Sequence, residues 1–559
     1  MPPRFSKEVR EYHVTDVPVK RQRRTSPCEY ACPAGNRIQL VETLIKEGSF
    51  SEARMALLSR NPFAGTTGRV CPGFCEEKCN RRHYDEGVAI RALERYASER
   101  GSVPSLRPLE NTGKKAAVIG SGPAGLTAAF YLRLLGHSVE VFEAEPVLGG
   151  VPRVSIPDFR LPKNVPDAEV GFILSLGVVA HTNTRVGRDV SAETLLETFD
   201  ACLVTTGNQI QRMLSVPGID AAVSAMKFLH ESNMRRESLS GRHVVILGGG
   251  GVAFDCAFTA RRLGAASVSL VFPEDADHIR TTADEIQQAH DEGVVMYPSH
   301  LTTAVDAEGV RARRLTDFRF DEKGELIATF ENDEIRTIPG DMVICASGLK
   351  PDTAFLDGLG PKRTPRGHLD VGDDMMTSVH GLFAAGDAVT GPATVTSAIG
   401  SGRKAAIAMH AFLSEAASPV EIMLAKNEDG SFSASVDKHR ESPLTRHVVE
   451  FSEIRNPEYH EHAPRALQRT NDVSLFPFAE IKAGFSDEEA AAESARCMHC
   501  GHCIDCGNCA ERCPDYIIER AEGSGPFVKY PQECWHCAAC RIGCPTGSID
   551  IEFPITHLV

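Results

Sequence analysis

The chain has little of what membrane-spanning, exported or nucleic-acid-binding proteins need. Its 559 residues include one tryptophan. No apolar run reaches eighteen residues, so we predict no membrane span. The N-terminal stretch lacks the apolar core of a signal peptide. A net charge of −15 disfavours nucleic acid as a partner, because phosphate binding needs a basic surface. We therefore expect a cytoplasmic protein with several globular domains.

Cysteine pairs are missing from the middle of the chain. That region has only Cys202, Cys256 and Cys345, and none of them belongs to a Cys-x-x-Cys motif. We interpret these three as small core residues. The sequence therefore offers no redox-active dithiol, and we name no catalytic acid–base residue.

The remaining fifteen of the eighteen cysteines cluster near the two ends of the chain. Near the C-terminus the motif Cys-x2-Cys-x2-Cys-x3-Cys-Pro occurs twice, and its cysteines are Cys503, Cys506, Cys509, Cys513, Cys534, Cys537, Cys540 and Cys544. This motif is typical of a bacterial-ferredoxin-like α+β domain with two [4Fe–4S] clusters, in which the fourth cysteine of each run binds the other cluster. Zinc knuckles or disulfides are the alternative, which the repeated spacing disfavours.

A first glycine-rich loop, Gly120 to Gly125, follows an apolar strand and begins a helix, and Glu143 ends the next strand. Such a loop holds a dinucleotide pyrophosphate at the helix N-terminus, and the acid binds the ribose. With a second glycine–aspartate motif downstream, the arrangement resembles flavoproteins with two dinucleotide domains. The resemblance implies FAD, with a helix dipole directed at the flavin ring. The candidate cofactor-binding residues are Gly120, Gly122, Pro123, Ala124, Gly125, Glu143, Gly150, Arg160, Gly207, Gly386, Asp387, Thr394 and Val395.

A second glycine-rich loop lies in an inserted domain and is predicted to bind the nicotinamide cofactor. Its candidate residues are Gly248, Gly250, Gly251, Val252, Glu274 and Gly348. A carboxylate at Glu274 accepts hydrogen bonds from both ribose hydroxyls and repels a 2′-phosphate, so we predict NAD(H) rather than NADP(H). Alternatively, Glu274 is a solvated loop acid, and the preference stays open.

The strand–turn–helix alternation predicts an α/β fold with two Rossmann-like dinucleotide-binding domains, one inserted into the other. A helical iron–sulfur domain precedes them, and the ferredoxin-like domain follows. The predicted divisions are residues 1–110 (helical iron–sulfur domain), 111–240 and 341–415 (FAD domain), 241–340 (NAD(H) domain), 416–490 (extended linker) and 491–559 (ferredoxin domain).

Five further cysteines, Cys28, Cys32, Cys71, Cys75 and Cys79, lie near the N-terminus. The strings GRVCPGFCEEKC, GGVPRVSIPDFRLPK and AAGDAVTGPATVTSAI resemble the small subunit of glutamate synthase and the matching part of dihydropyrimidine dehydrogenase, over about residues 25–412. The resemblance implies two [4Fe–4S] clusters in the N-terminal domain, the first bound by Cys32, Cys71, Cys75 and Glu94. Ser155 replaces a glycine of that family, and Pro273-Glu274 replaces the arginine pair of its NADPH-using members.

The second cluster of those relatives uses a Cys-x2-Cys that precedes the position of Cys28, and this chain has none there. The C-terminal string FAEIKAGFSDEEAAAESARCMHCG resembles the missing one and contains Cys497 and Cys500. We predict that these two cysteines complete a cluster with Cys28 and Cys79, which gives four clusters. In the alternative, they are spare thiols and the chain carries three.

These features predict an FAD- and iron–sulfur-containing subunit that exchanges electrons between NAD(H) and a partner oxidoreductase or ferredoxin. Without a dithiol, electrons from the flavin must pass singly to the clusters. The fused ferredoxin domain resembles arrangements in complexes with 2-oxoacid:ferredoxin oxidoreductases, so we favour the NAD+-reducing subunit of such a complex. Alternatives are a glutamate synthase small subunit, a flavin-based bifurcating subunit, or an iron–sulfur scaffold without nucleotide turnover.

Overall fold

The computed structural model describes residues 24–103, 105–279, 281–320, 326–415, 421–437, 447–471, 476–521, 525–530 and 533–549. The N-terminal part is helical. Apolar residues at helical spacing, such as Ile38, Val41 and Ile45, are buried because they lie on one helix face. The elements are β1 (Arg24–Thr25), α1 (Pro27–Ala31), α2 (Ile38–Lys46), α3 (Phe50–Leu58), α4 (Ala64–Val70), α5 (Phe74–Glu77), α6 (Ile90–Arg100) and β2 (Leu106–Arg107).

The first nucleotide domain begins with alternating strands and helices. Its strands Lys115–Ile119 and Ala201–Val204 are almost wholly apolar and buried, as expected in a parallel sheet covered on both faces. The elements are β3 (Lys115–Ile119), α7 (Pro123–Leu134), β4 (Ser138–Phe142), α8 (Val151–Val154), α9 (Asn164–Ser175), β5 (Val179–His181), α10 (Ala192–Thr198) and β6 (Ala201–Val204).

The inserted domain has a parallel sheet of order β11-β10-β9-β16-β8 and a smaller antiparallel sheet built from β12 to β15. The short antiparallel pair β7–β17 lies where the chain enters and leaves this domain. The elements are β7 (Ile210–Gln211), β8 (Val223–Ser224), α11 (Ala225–Arg235), β9 (His243–Leu247), α12 (Gly251–Arg262), β10 (Ser267–Val271), α13 (Ala283–Asp291), β11 (Val295–Tyr297), β12 (His300–Asp306), β13 (Gly309–Phe320), β14 (Leu326–Phe330), β15 (Arg336–Pro339), β16 (Met342–Cys345) and β17 (Leu349–Lys350).

The chain then completes the first sheet, whose order is β18-β6-β3-β4-β5. A long helix, α15, crosses the domain and packs on α7. The elements are β18 (Leu382–Ala384), α14 (Asp387–Thr390) and α15 (Val395–Leu413). Short 3-10 helices occur at Asn80–His83, Ile219–Ala221, Ala354–Leu356, Phe451–Glu453 and Pro457–Tyr459.

The C-terminal part contains β19 (Glu421–Lys426), β20 (Phe432–Asp437), β21 (His447–Val448), α16 (Asp487–Ala495), α17 (Asn508–Glu511), β22 (Ile518–Ala521), β23 (Gly525–Val528) and α18 (Ala539–Gly543). Strand β21 pairs with β1, so the C-terminal part of the chain contacts the first described residues. No described helix has the length and apolar character needed to cross a bilayer.

Three predicted divisions need correction. Strand β16, in the string DMVICASG, was expected to return to the FAD domain, but it pairs with β9 in the inserted sheet. Strand β8 pairs with β16, so β8 and the adjoining α11 also belong with the inserted domain rather than with residues 111–240. An apolar run indicates a buried strand without indicating which sheet it joins. The stretch predicted as an extended linker contains the hairpin β19–β20, which pairs with β2.

Candidate functional site

In the first glycine-rich loop, neighbouring backbone atoms leave no room for a side chain at Gly120 or Gly125. Gly120 has a φ of +100°, and a Cβ there would lie 2.7 Å from the carbonyl oxygen of Thr205. A Cβ at Gly125 would lie 2.1 Å from the carbonyl oxygen of Gly120. Gly122, by contrast, caps α7 and has open space around it in the described chain. The open side of the loop therefore fits a pyrophosphate at the helix N-terminus.

The carboxylate of Glu143 is fixed against this loop. It accepts hydrogen bonds from the backbone nitrogen of Ser121 at 2.8 Å and from the Ser121 hydroxyl at 2.5 Å. A Cβ at Gly150 would lie 2.7 Å from the Cα of Gly122. The segment after Glu143 thus folds back over the glycine loop.

The second half of the same site comes from the chain's return. A Cβ at Gly386 would lie 2.9 Å from the Cβ of Ala124, so the glycine–aspartate motif lies against the start of α7. Burial raises the pKa of Asp387 to about 6. Thr394 caps α15 by accepting from the Ser397 nitrogen at 3.1 Å. Gly207 follows Thr205 and Thr206, the residues that contact Gly120. The structure therefore gathers the candidate FAD residues, apart from Arg160, around one loop.

The second glycine-rich loop opens into a cavity of about 1250 Å³. Gly248 has a φ of +140°, and a Cβ there would lie 2.6 Å from the Ala346 carbonyl oxygen. The cavity is lined by Gly250, Gly251 and Val252 of this loop, and also by Arg160, Gly348, Thr394 and Cys71. The nicotinamide loop, the start of α15 and one N-terminal cysteine therefore share one space.

Arg160, an FAD candidate, and Glu274, a nicotinamide candidate, both lie at the inserted domain. Arg160 lines the cavity on the side of the inserted domain, where its guanidinium pairs with the buried Asp255 at 3.1 Å and with Glu285. Glu274 follows β10, and its carbonyl oxygen accepts from the Ser299 nitrogen at 2.8 Å.

A further wall of the cavity comes from the C-terminal half of the chain, within the stretch predicted as an extended linker. The segment Phe478–Lys482, here called the wall segment, passes between the inserted domain and the helical domain. The Ile481 nitrogen donates to the Phe159 carbonyl oxygen at 3.0 Å. Glu480 accepts from the guanidinium groups of Arg69 at 2.8 Å and Arg95 at 2.8 Å. The only sequence signal was the family-like string that begins at Phe478.

Cys32, Cys71, Cys75 and Glu94, here called the first cysteine group, lie together beside the cavity. Glu94 is buried and accepts from the Asn36 side-chain nitrogen at 2.6 Å. Burial raises the pKa of Glu94 to about 7. Burial also raises the pKa values of the three thiols, and the nearby Glu94 carboxylate raises them further.

Cys28, Cys79, Cys497 and Cys500, here called the second cysteine group, line one small cavity although they come from opposite ends of the sequence. Asn80, Gln39 and Glu42 line the same cavity. The Gln39 side-chain nitrogen donates to the Cys28 sulfur at 3.9 Å. Burial raises the pKa values of all four thiols, so neutral thiols are favoured unless a metal cluster holds them as thiolates.

The C-terminal cysteines form two more groups. Cys503, Cys506, Cys509 and Cys544 surround one cavity and form the third cysteine group. Cys513, Cys534, Cys537 and Cys540 surround another and form the fourth. The fourth cysteine of each run thus lies in the group formed by the other run, which is the arrangement of two-cluster ferredoxins.

Backbone N–H groups two residues after a cysteine point at its sulfur, as at Cys503 and Cys497. The Asp505 nitrogen donates to the Cys503 sulfur at 3.4 Å. At Cys497, burial raises the thiol pKa, and the corresponding N–H of His499 opposes that rise. Asp505 and His499 both adopt positive φ, of 52° and 48°, which turns the N–H toward the sulfur. Such donors stabilise thiolates around iron–sulfur clusters.

All eighteen cysteines are free of disulfides. Among the described residues, no three His, Cys, Asp or Glu side chains converge as they would on a single metal ion. Four cysteines around each of the two C-terminal cavities, with the fourth cysteine of each run in the other group, fit two [4Fe–4S] clusters.

The family described as pyridine nucleotide-disulphide oxidoreductase matches residues 114–402. The chain belongs to this family. Residues 21–103 match dihydropyrimidine dehydrogenase domain II, 4Fe-4S cluster, and residues 502–549 match the 4Fe-4S dicluster domain. The chain is therefore an oxidoreductase with FAD- and NAD(P)-binding domains and [4Fe–4S] domains. The predicted fold class is confirmed.

Three relatives cover most of the chain. The beta subunit of an NADP(+)-dependent formate dehydrogenase from Moorella thermoacetica is 32% identical over 85% of this chain and 70% of its own length. The beta subunit of a Geobacter sulfurreducens NADPH-Fe(3+) oxidoreductase is 30% identical over 85% and 75%. The Azospirillum brasilense glutamate synthase [NADPH] small chain is 35% identical over 71% and 88%. The predicted resemblance to the glutamate synthase small subunit is confirmed.

Solved structures share parts of the fold at low identity. FprA from Mycobacterium tuberculosis is 19% identical, with a TM-score of 0.45 over 55% of this chain and 84% of its own. Thioredoxin reductase from T. acidophilum is 20% identical, with a TM-score of 0.42 over 54% of this chain and 99% of its own.

Proposed function

We propose that this chain is an electron-transfer subunit that exchanges electrons between NAD(H) and a partner oxidoreductase. One observation carries the proposal: the cavity that holds the Gly250 loop also reaches Thr394 of the flavin helix and Cys71 of the first cysteine group. A hydride donor, a flavin and a first electron acceptor can therefore sit in contact. The family membership supports the same reading.

In the proposed mechanism, the residues of this chain bind and orient the two cofactors and do not exchange protons with them. The Gly120 and Gly250 loops would hold the two pyrophosphates at helix N-termini, and Thr394 fixes the start of α15 beside the cavity. FAD, when bound, supplies the conversion between two-electron hydride chemistry and single-electron transfer. Cys202, Cys256 and Cys345 are buried on separate strands and a helix, so none of them forms a dithiol beside the flavin.

We further propose four [4Fe–4S] clusters, one in each cysteine group, arranged as a single path. Cys28 lies near enough to Cys75 to raise the pKa of that thiol, after burial, so the first and second groups adjoin. The second and third adjoin because Gly501 donates to the Thr546 carbonyl oxygen at 2.6 Å. Cys509 influences the pKa of Cys540 in the same way, which supports contact between the third and fourth groups.

For the cofactor, we propose NAD(H). Pro273-Glu274 after β10 provides a carboxylate where a 2′-phosphate would need cations. The relatives named above carry NADP(+) or NADPH in their names, so the preference rests on these two residues of this chain.

For the partner, we propose an enzyme of the 2-oxoacid:ferredoxin oxidoreductase type, because the fused two-cluster domain provides a wire to an iron–sulfur partner. A formate-oxidising partner is the second candidate, favoured by the name of the Moorella thermoacetica relative. Purifying the native assembly and identifying the co-eluting subunits separates these two candidates.

The test of the core proposal is anaerobic oxidation of NADH and NADPH with a viologen dye as acceptor. We expect faster turnover with NADH, and a shift toward NADPH in Glu274→Arg. Equal rates for both nucleotides in both proteins would remove Glu274 from this role. A protein that carries FAD and clusters but oxidises neither nucleotide would refute the proposed function.

A further inference from the structure

We infer that Thr396 and Gly400, one turn apart on α15, form the contact that couples the flavin site to the first cysteine group. Gly400 sets how closely the helix approaches the Cys32 loop, and the Thr396 hydroxyl tunes the cluster held by Cys71. This inference rests on the proposed function and adds two residues to it.

Gly400 lies directly against the loop that follows Cys32. A Cβ at Gly400 would lie 2.0 Å from the Pro33 carbonyl oxygen, 2.8 Å from the Pro33 carbonyl carbon and 3.4 Å from the Ala34 nitrogen. Because these are backbone atoms, they cannot move aside as a flexible side chain can. Any larger residue must push α15 and the Cys32 loop apart.

A second glycine of α15 holds the helix on its other side. A Cβ at Gly402 would lie 2.1 Å from the carbonyl oxygen of Ala124, at the start of the first nucleotide helix. Gly400 and Gly402 therefore bring α15 into backbone contact with the cluster loop and with the FAD loop at once. Glycine at both positions is needed only where two backbones approach this closely.

Thr396 lies one turn before Gly400 and reaches the other loop of the first cysteine group. Its side chain is 2% exposed, and its hydroxyl has no partner of regular hydrogen-bond geometry among the described residues. Helix α15 packs against α4, the helix that ends just before Cys71, and Thr394, two residues before Thr396, lines the same cavity as Cys71. A hydroxyl that favours the thiolate also favours the reduced form of a cluster bound through it.

Thr396 and Gly400 thus lie on one face of α15, between the flavin site and the first cysteine group. Hydride transfer from NAD(P)H delivers two electrons, which leave one at a time across this contact to the clusters and then to the dye or partner. Simple helix packing would also explain a buried threonine and a close glycine, but it would not change electron-transfer kinetics or a cluster potential. Those two quantities therefore test the inference.

The first experiment follows Gly400→Ala in the full chain by anaerobic stopped-flow absorbance after mixing with NADH. We expect normal reduction of the flavin and a several-fold slower reduction of the clusters. Gly171→Ala is the control, because a methyl group added at this helical glycine would have no neighbouring atom of the described chain within 4 Å. Equal cluster-reduction rates in Gly400→Ala and in the control would overturn the role of Gly400.

The second experiment measures cluster potentials by EPR-monitored redox titration in Thr396→Val and Thr396→Ser. Loss of one hydrogen bond to a thiolate is expected to change the reduced-to-oxidised ratio of one cluster about tenfold, a negative shift of about 59 mV, and serine is expected to restore it. Thr259→Val, another buried threonine with an unpartnered hydroxyl in the described chain, is the control.

The possible outcomes separate the two claims. If the unaltered protein reduces its flavin with neither nucleotide, or never passes electrons to its clusters, the proposed function fails. If it does both, but Thr396→Val leaves every cluster potential unchanged, the tuning role of Thr396 is overturned. Because Thr396→Val preserves side-chain shape, it remains informative even if Gly400→Ala does not fold.

Discussion

Replacing Cys500 with alanine tests the second cysteine group, whose members come from both ends of the chain. Cys500 is 8% exposed and shares its cavity with Cys28, Cys79 and Cys497. If the four hold a cubane, the variant loses one cluster, and the iron content falls from about sixteen to about twelve atoms per chain. Acid-labile sulfide should fall in the same proportion. The assay is iron and sulfide quantitation on anaerobically purified protein.

The same variant should unfold more easily, because the cluster would tie together residues distant in sequence. Cys79 and Cys497 are about 420 residues apart, and the chain-entropy relation for a cross-link of that length gives about 6 kcal/mol as an upper value. The actual loss is expected to be smaller, because strain in the folded state and residual structure in the unfolded chain reduce such values. A lower melting temperature should therefore accompany the missing iron.

Cys256→Ala is the matched control, because Cys256 is fully buried and lies in the core of the inserted domain. It should keep about sixteen irons while losing some stability to the small cavity. The reasoning is refuted if Cys500→Ala keeps as much iron as the unaltered protein. An unaltered protein with only about twelve irons would equally exclude a fourth cluster.

Three further changes probe the surroundings of the site. Glu94→Ala should alter the EPR spectrum of one cluster without loss of FAD; an unchanged spectrum would mean that Glu94 is not a ligand. Burial lowers the pKa of His137 to about 4, below its unfolded value of about 6.5, so the neutral ring favours the fold. Stability should then be fully present above pH 6.5 and fall toward pH 4, and the melting-temperature difference between pH 7 and pH 5 should shrink in His137→Asn. Glu480→Gln leaves the buried guanidiniums of Arg69 and Arg95 less compensated and should cost about 1–3 kcal/mol of stability and raise the KM for NADH. An unchanged KM would show that the wall segment does not shape the nucleotide site.

The features predicted well from the sequence are those encoded over short distances. The glycines at Gly120 and Gly125 sit between a strand and a helix in the sequence, and the close approach of Gly125 to the Gly120 carbonyl oxygen follows from that local order, whereas the contact of Gly120 with Thr205 does not. The cysteine runs near Cys503 and Cys534 likewise carry their geometry in their spacing. Local order therefore sufficed for recognising the nucleotide-binding and [4Fe–4S] domains.

The features that were missed depend on contacts between distant parts of the chain. Every residue of strand β16 is apolar, so its sequence fits a buried strand in the sheet of either nucleotide domain. Only its pairing with β9 shows that it belongs to the inserted sheet. The wall segment looks like an unpatterned connection until it is seen against Phe159 and Arg69. Gly400 reads as an ordinary helical glycine, because its constraint comes from Pro33, far away in sequence.

The second cysteine group combines cysteines from the early and the late part of the sequence, so it is completed late in biosynthesis. A ribosome that has released Cys79 must add about 420 more residues before Cys497 emerges, which takes roughly 20 to 80 s at typical elongation rates. During that interval the second cysteine group has only Cys28 and Cys79. If the group holds a cluster as proposed, the cluster can be completed only after Cys500 has been synthesised, and a product terminated before Cys497 would lack it.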